Sequence, residues 1–306
     1  MSQRPSLQIN GIGKAYGDFV AVDDLSLSVP AGTIFGLLGP NGAGKTTTIR
    51  MIMDIIAPDR GEVLFQGSPR TESDLHRIGY LPEERGLYRK MTVLEQLTFL
   101  AELHGLARSV ATARAEEWLE RIGLGEWGRK QVEELSKGMQ QKIQLIGTIL
   151  HEPELVILDE PFSGLDPINQ ELFKETLARF RQEGRTVLFS THIMEQAEKL
   201  CDHLCLISHG RAVLDGPLAE IKRRFGGGTY ALRADVEASV LEGLDGVRGV
   251  SEHDGLWLVR LDEGADPAAL VARLVERGVG VRELASREPD LEEIFIRAVR
   301  QAEASA

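Results

Sequence analysis

The stretch Gly39-Pro40-Asn41-Gly42-Ala43-Gly44-Lys45-Thr46-Thr47 decides how the rest of the chain is read. It follows a short unbroken apolar run, Thr33-Ile34-Phe35-Gly36-Leu37-Leu38, and precedes a helix-like stretch from Thr46 to Ile56. A run of that kind suits a strand buried on both faces of a parallel sheet. Glycines at 39 and 44 followed by Lys-Thr, set between a strand and a helix, let backbone N–H groups converge on phosphate oxygens with no side chain in the way. The helix that follows directs its positive end at the same anion. Lys45 adds a full charge toward the β and γ phosphates, and the Thr46 hydroxyl is placed to ligate Mg²⁺.

Outward from the loop, Leu155-Val156-Ile157-Leu158 and Thr186-Val187-Leu188-Phe189 are two more unbroken apolar runs. Helical stretches fall between the runs, which predicts an α/β core with a parallel sheet. Residues 7–29 instead alternate, as in Leu25-Ser26-Leu27-Ser28-Val29, and predict antiparallel strands with one buried face. Residues 84–150 read as a helical insert. Thr92 and Glu95 fit a capping box ahead of Leu97, Phe99 and Leu100. A second helix runs through Trp118 to Ile122 and stops at Gly123, and a third starts near Ser136 and stops before Pro153. Gly226-Gly227-Gly228 marks a composition shift. Beyond it, Tyr230–Arg233, Leu256–Leu261 and Val279–Leu284 read as strands, and Asp266–Arg277 and Leu291–Arg300 as helices. The expected division is residues 5–225 and a small α+β domain over 229–306.

The 306 residues suffice for a large core, and the net charge of -12 makes a nucleic-acid-tracking protein a poor expectation. The two cysteines, Cys201 and Cys205, do not make a disulfide scaffold, and a reducing cytosol is expected. With His203 and His209 they lack paired metal-ligand spacing and read as buried small residues beside surface histidines. No apolar leader follows Met1 and no run of about 18 apolar residues occurs, so neither a signal peptide nor a membrane span is expected.

The glycine loop matches the Walker A pattern, and further motifs narrow the family. Glu134-Leu135-Ser136-Lys137-Gly138-Met139-Gln140-Gln141 resembles the ABC signature. Leu155 to Pro161, with Asp159-Glu160, resembles Walker B and its trailing glutamate. Ser163-Gly164-Leu165-Asp166 resembles the D-loop, and Thr191-His192 the switch histidine. Their order and spacing resemble an ABC ATPase. The resemblance implies a P-loop ABC ATPase domain with an antiparallel β subdomain and a helical insert, binding and hydrolysing ATP with Mg²⁺. Asp159, at the C-terminal edge of an apolar strand, stands where α/β proteins bind ligands and can hold the metal. Glu160 is the candidate base that polarises the attacking water. His192 is implied as a donor near the γ-phosphate, Tyr16 as the aromatic that stacks on adenine, and Ser136 with Gly138 as the anion-binding helix end of a second subunit. One chain would then carry half of each site, which implies a homodimer closing on two ATPs.

Two motifs depart from the common pattern. Glu83 stands after Tyr80-Leu81-Pro82 where glutamine is usual, still able to ligate Mg²⁺ but adding negative charge. Lys137-Gly138-Met139 replaces Gly-Gly-Gln. With Glu83-Glu84-Arg85-Gly86-Leu87-Tyr88 and the segment Glu288-Pro289-Asp290-Leu291-Glu292-Glu293-Ile294-Phe295, these resemble ATPase subunits of bacterial ABC exporters. That resemblance implies a separately encoded integral-membrane permease and a peripheral place on the cytoplasmic face of the membrane. Two other readings stand beside it. A soluble ABC-type switch on ribosomes or DNA would carry a second ATPase domain or a long coiled coil, and neither is in this sequence. A module that binds ATP without hydrolysis would not need Glu160.

Overall fold

The computed structural model describes residues 4–305 apart from 85, 254 and 263. The chain divides into two compact units, with the boundary between Pro217 and Leu218.

The first unit opens with β1 (Leu7–Tyr16) and β2 (Phe19–Val29), whose alternating burial is what the period of two predicted. They pair antiparallel, with Leu7 opposite Val29 and Ile9 opposite Leu27, which puts these four side chains on one buried face. β3 (Ile34–Leu38) is buried at every position and leads through the glycine loop into α1 (Lys45–Ile52). The helix ends earlier than the sequence suggests, because Asp54 adopts a left-handed backbone, φ 58°, two residues past its end. β4 (Arg60–Phe65) and β5 (Ser68–Pro69) complete a sheet in the order β2-β1-β4-β5, and β6 (Ile78–Leu81) joins the central sheet.

The helical insert follows as α2 (Val93–Leu103), α3 (Arg108–Arg121) and α4 (Lys137–Ile149). The Thr92 hydroxyl accepts from Glu95 N while the Glu95 carboxylate accepts from Thr92 N, the reciprocal cap the sequence predicts. Val93, Leu97, Ala115, Leu119, Ile143 and Ile146 close a separate small core. Arg85, quoted in the exporter-like segment, lies outside the described residues.

The chain then returns to the core through β7 (Leu155–Asp159), α5 (Pro167–Gln182), β8 (Thr186–Thr191), α6 (Met194–Leu200), β9 (His203–Ser208) and β10 (Arg211–Pro217). The central sheet has the order β10-β9-β3-β8-β7-β6, parallel throughout except for the β10–β9 pair. Because β3, β8 and β7 are neighbours and parallel, the loops that leave their C-terminal ends emerge side by side. Cys201 and Cys205 are free and buried. Cys201 fills the space a Cβ on Gly36 would take, 2.6 Å from its sulfur.

The second unit comprises α7 (Leu218–Gly226), β11 (Thr229–Ala234), α8 (Ala238–Glu242), β12 (Val247–His253), β13 (Leu256–Leu261), α9 (Pro267–Glu276), β14 (Val281–Ser286) and α10 (Leu291–Ser305). Its antiparallel sheet has the order β12-β13-β11-β14, with a core around Leu232, Leu241, Val259, Leu270 and Leu274. The sequence pattern misses β12 and α8 and starts β14 two residues early. β12 is an edge strand with no buried residue, so no alternation marks it.

Candidate active site

The loop after β3 holds its shape through glycines. Gly44 has φ 106°, and a Cβ there would come within 2.5 Å of the Ala21 carbonyl oxygen, so only glycine lets the loop lie against β2. Lys45, the first residue of α1, is buried. Its ammonium donates to the carbonyls of Gly39 at 2.8 Å and Pro40 at 3.2 Å, which folds the side chain back over the loop. α1 has no acidic residue in its first turn, so nothing there offsets the positive helix end.

A cleft of about 430 Å³ opens over this loop. Asn41, Gly42, Gly44, Lys45, Thr46 and Thr47 line it from the loop side, with Glu83, Glu160, Ser163 and His192 opposite and Phe19 and Ala21 at its β2 edge. A second hollow of about 410 Å³ shares Glu83, Glu160 and Ser163 and adds Asp159 and Gln141. Gly39, Pro40 and Ala43 belong to the same loop and shape it without lining the cleft.

Asp159 ends β7 with its side chain buried. Burial raises its pKa, while the hydrogen bond from Ser190, the nearby Thr46 hydroxyl and the charge of Lys45 act the other way. Ser190 Oγ donates to Asp159 Oδ1 at 2.5 Å and accepts from the Glu160 backbone N–H at 2.9 Å. The second oxygen, Asp159 Oδ2, is buried without a hydrogen-bond partner, as is Glu160 Oε1. Such oxygens are costly unless something pairs with them.

Glu160 turns the chain with φ 49°, a conformation that costs a non-glycine residue about 1–2 kcal/mol. Ser190 accepting its N–H holds it there. Its side chain is pinned from two directions. Oε1 lies 3.4 Å from the Lys45 ammonium, and Oε2 lies 3.0 Å from His192 Nδ1. His192 is partly exposed on the far wall of the cleft. Three loops, after β3, β7 and β8, thus bring a cation, two carboxylates and an imidazole to one place.

Tyr16 and Phe19 face each other across the β1–β2 turn, both exposed. Phe19 lines the cleft and Tyr16 does not. Ser136 and Gly138 also stand outside it. Ser136 caps α4, its hydroxyl accepting from Met139 N at 3.3 Å. Asp166 caps α5, its carboxylate accepting from Asn169 N at 2.9 Å and from Asn169 Nδ2 at 2.6 Å. The two helix starts touch, because a Cβ on Gly138 would lie 2.6 Å from Asn169 Nδ2. Sequence reasoning does not single out Phe19 or Ser190. The second has a signal, a Ser-Thr pair closing an apolar strand just before His192.

A glycine loop between a central parallel strand and a helix, facing an Asp-Glu pair at the end of β7 one strand removed in the same sheet, defines a P-loop nucleoside triphosphatase. Comparison with known proteins narrows the class. The family model described as "ABC transporter" matches residues 22–163. That described as "ATP-binding protein DrrA1-3-like, C-terminal domain" matches residues 216–299. The chain is 45% identical over 294 residues to the ABC transporter ATP-binding protein YhaQ of Bacillus subtilis (strain 168), covering 96% of this chain and 98% of that one. It is 36% identical over 298 residues to the Nod factor export ATP-binding protein I of Cupriavidus metallidurans, covering 95% and 96%. A solved ATP-binding subunit of an ABC transporter superposes with a TM-score of 0.67 at 32% identity, over 72% of this chain and 93% of that one.

The chain belongs to the ATP-binding subunits of ABC transporters. It binds ATP and hydrolyses it. A switch on ribosomes or DNA is not favoured by these relatives. No described helix is long and apolar enough to cross a membrane.

Proposed function

We propose that two copies of this chain close head to tail on two ATP molecules, and that this cycle drives export through a separately encoded membrane permease. The observation that carries the proposal is the division of the site. Lys45, Thr46, Glu160 and His192 share one cleft, while Ser136 and Gly138 stand outside it at another helix start. A helix end capped by Ser136, with no acidic residue in its first turn, suits the γ-phosphate held by another copy. Export is supported by what the Cupriavidus relative is named for, and a peripheral place on the cytoplasmic face of the membrane follows from that role.

Within one site, Lys45 and the backbone N–H groups of the loop from Gly39 to Thr47, of which Pro40 has none, hold the phosphates, and Phe19 or Tyr16 offers its ring to adenine. Glu160 accepts a proton from the attacking water. The contact with His192 orients the glutamate, and Asp166 with Asn169 fixes the start of α5 beside Gly138. The partnerless Asp159 Oδ2, the adjacent Thr46 hydroxyl and the exposed Glu83 carboxylate are hard oxygen donors that fit Mg²⁺. Bound there, the metal would neutralise charge on the phosphates.

The test uses Glu160→Gln. Turnover is expected to fall by about 100-fold or more, and ATP is expected to shift the protein to twice its mass in light scattering. Unchanged turnover removes Glu160 as the base, and a monomer with ATP bound removes the closed dimer. Crosslinking in native cells should recover an integral-membrane partner, and its absence would refute the transport role.

A further inference from the structure

On the first unit, away from the ATP cleft, a smaller cleft of about 200 Å³ lies between α3 of the insert and α5 of the core. Four arginines line it, Arg114 and Arg121 from α3 and Arg179 and Arg185 at the C-terminal end of α5 and just beyond. Trp118 lines it as well. The guanidinium of Arg179 lies 4.8 Å from the Trp118 ring centroid and that of Arg121 lies 5.2 Å away, so two cations share one ring.

The carboxylates nearby do not balance them. Arg114 pairs with Glu152 at 2.9 Å. Glu183 is shared, at 3.1 Å from Arg185 Nε and at 3.6 Å, beyond hydrogen-bond length, from Arg179 Nε. Arg121 has no ion-pair partner among the described residues, and Arg179 Nε is buried without a hydrogen bond. Glu117 is the remaining acid on the rim. Burial, and then the like charge of Arg121, lowers the pKa of Arg179 against the pull of Glu183. A planar guanidinium with unused donors, crowded by other cations, is what a tetrahedral or planar oxyanion relieves.

We propose that this cleft binds a phosphate-class oxyanion, either free phosphate or the phosphoryl group of a small phosphomonoester. Arg179 and Arg121 hold it over Trp118, and Arg185 and Arg114 close the sides. The ligand would join two parts of the fold. α3 belongs to the insert, whereas α5 is capped by Asp166, beside the signature glycine Gly138, about 20 Å along the helix from Arg179. An anion in the cleft therefore ties the insert to the far end of the helix that supports the D-loop.

The test titrates the full chain with the ATP cleft filled by a non-hydrolysable ATP analogue. One arm uses inorganic phosphate, a second glycerol 3-phosphate, and chloride at matched ionic strength is the control. Calorimetry is expected to show one saturable site per chain for one or both phosphates, and tryptophan fluorescence to change with it. Saturation by phosphate points to the free ion, and by glycerol phosphate alone to a phosphomonoester. Arg121→Gln and Arg179→Gln are each expected to weaken it about tenfold or more. Arg121 is exposed, so its variant decides the matter if the Arg179 variant fails to fold. A response no greater than that of chloride, or an affinity unchanged in Arg121→Gln, overturns the proposal.

Discussion

Ser190 Oγ stands 2.5 Å from Asp159 Oδ1 and joins the ends of two adjacent strands. The same oxygen accepts the Glu160 N–H, so one hydroxyl fixes both acidic residues. Replacing it with alanine leaves a buried carboxylate and a strained backbone turn without their shared support. Ser190→Ala is expected to lower ATP turnover by about 10- to 100-fold while ATP binding persists. Steady-state hydrolysis beside equilibrium nucleotide binding checks this. Full turnover in the variant would show that Asp159 and Glu160 hold their places without it.

Gly138→Ala examines the contact between two helix starts. The added methyl meets Asn169 Nδ2, which Asp166 already holds, so the pair must shift at a cost of about 1–3 kcal/mol. Binding of ATP to the monomer should be unaffected, because the P-loop cleft does not include Gly138. Turnover should fall about tenfold or more. Normal turnover would mean that this helix end takes no part in hydrolysis.

Glu83 borders both hollows beside the carboxylate pair. A neutral amide is a weaker ligand for a hard cation than a carboxylate. Glu83→Gln is expected to raise the Mg²⁺ concentration for half-maximal turnover about tenfold. A magnesium titration of the two proteins decides it, and superimposable curves would take Glu83 out of the metal's surroundings.

His151 is buried, and its ring stacks on that of His104 at 3.7 Å with the planes 3° apart. Burial, and then the neighbouring His104, pushes the His151 pKa down to about 3 from 6.5. The folded chain thus keeps this ring neutral where the unfolded chain protonates it. Its contribution to stability is full above about pH 6.5 and is lost as pH falls toward 3. One such group gives a slope of about 1.4 kcal/mol per pH unit. His151→Phe keeps a stacked ring and should lose less stability on acidification, by up to that slope, in denaturant melts at pH 6 and 5. Equal slopes would place the acid sensitivity elsewhere.

Much of the fold is legible along the chain because two kinds of strand carry different patterns. β3, β7 and β8 are covered on both faces and read as unbroken apolar runs, whereas β1 and β2 bury one face and alternate. β6, four residues at a sheet edge, and β12, with no buried residue, have too little of either pattern to be read. The same limit holds at the site. Lys45, Thr46, Asp159 and Glu160 stand in motifs whose spacing fixes their chemistry. Ser190 acts through a contact across two strands, 31 positions from Asp159, and Phe19 lines the cleft from the first position of β2. The Ser-Thr pair before His192 is the local sign of the first relationship, and the residues beside Phe19 carry none of the second.

The two native thiols have a practical consequence. Cys201 and Cys205 lie inside the core, and burial raises both thiol pKa values, so neither forms a reactive thiolate at neutral pH. The folded chain is therefore silent toward maleimides without any cysteine being removed. Ile168, 81% exposed in the first turn of α5, lies two residues from Asp166. A single Ile168→Cys substitution would accept one fluorophore per chain, and a donor and acceptor there would show whether two copies approach each other when ATP is added.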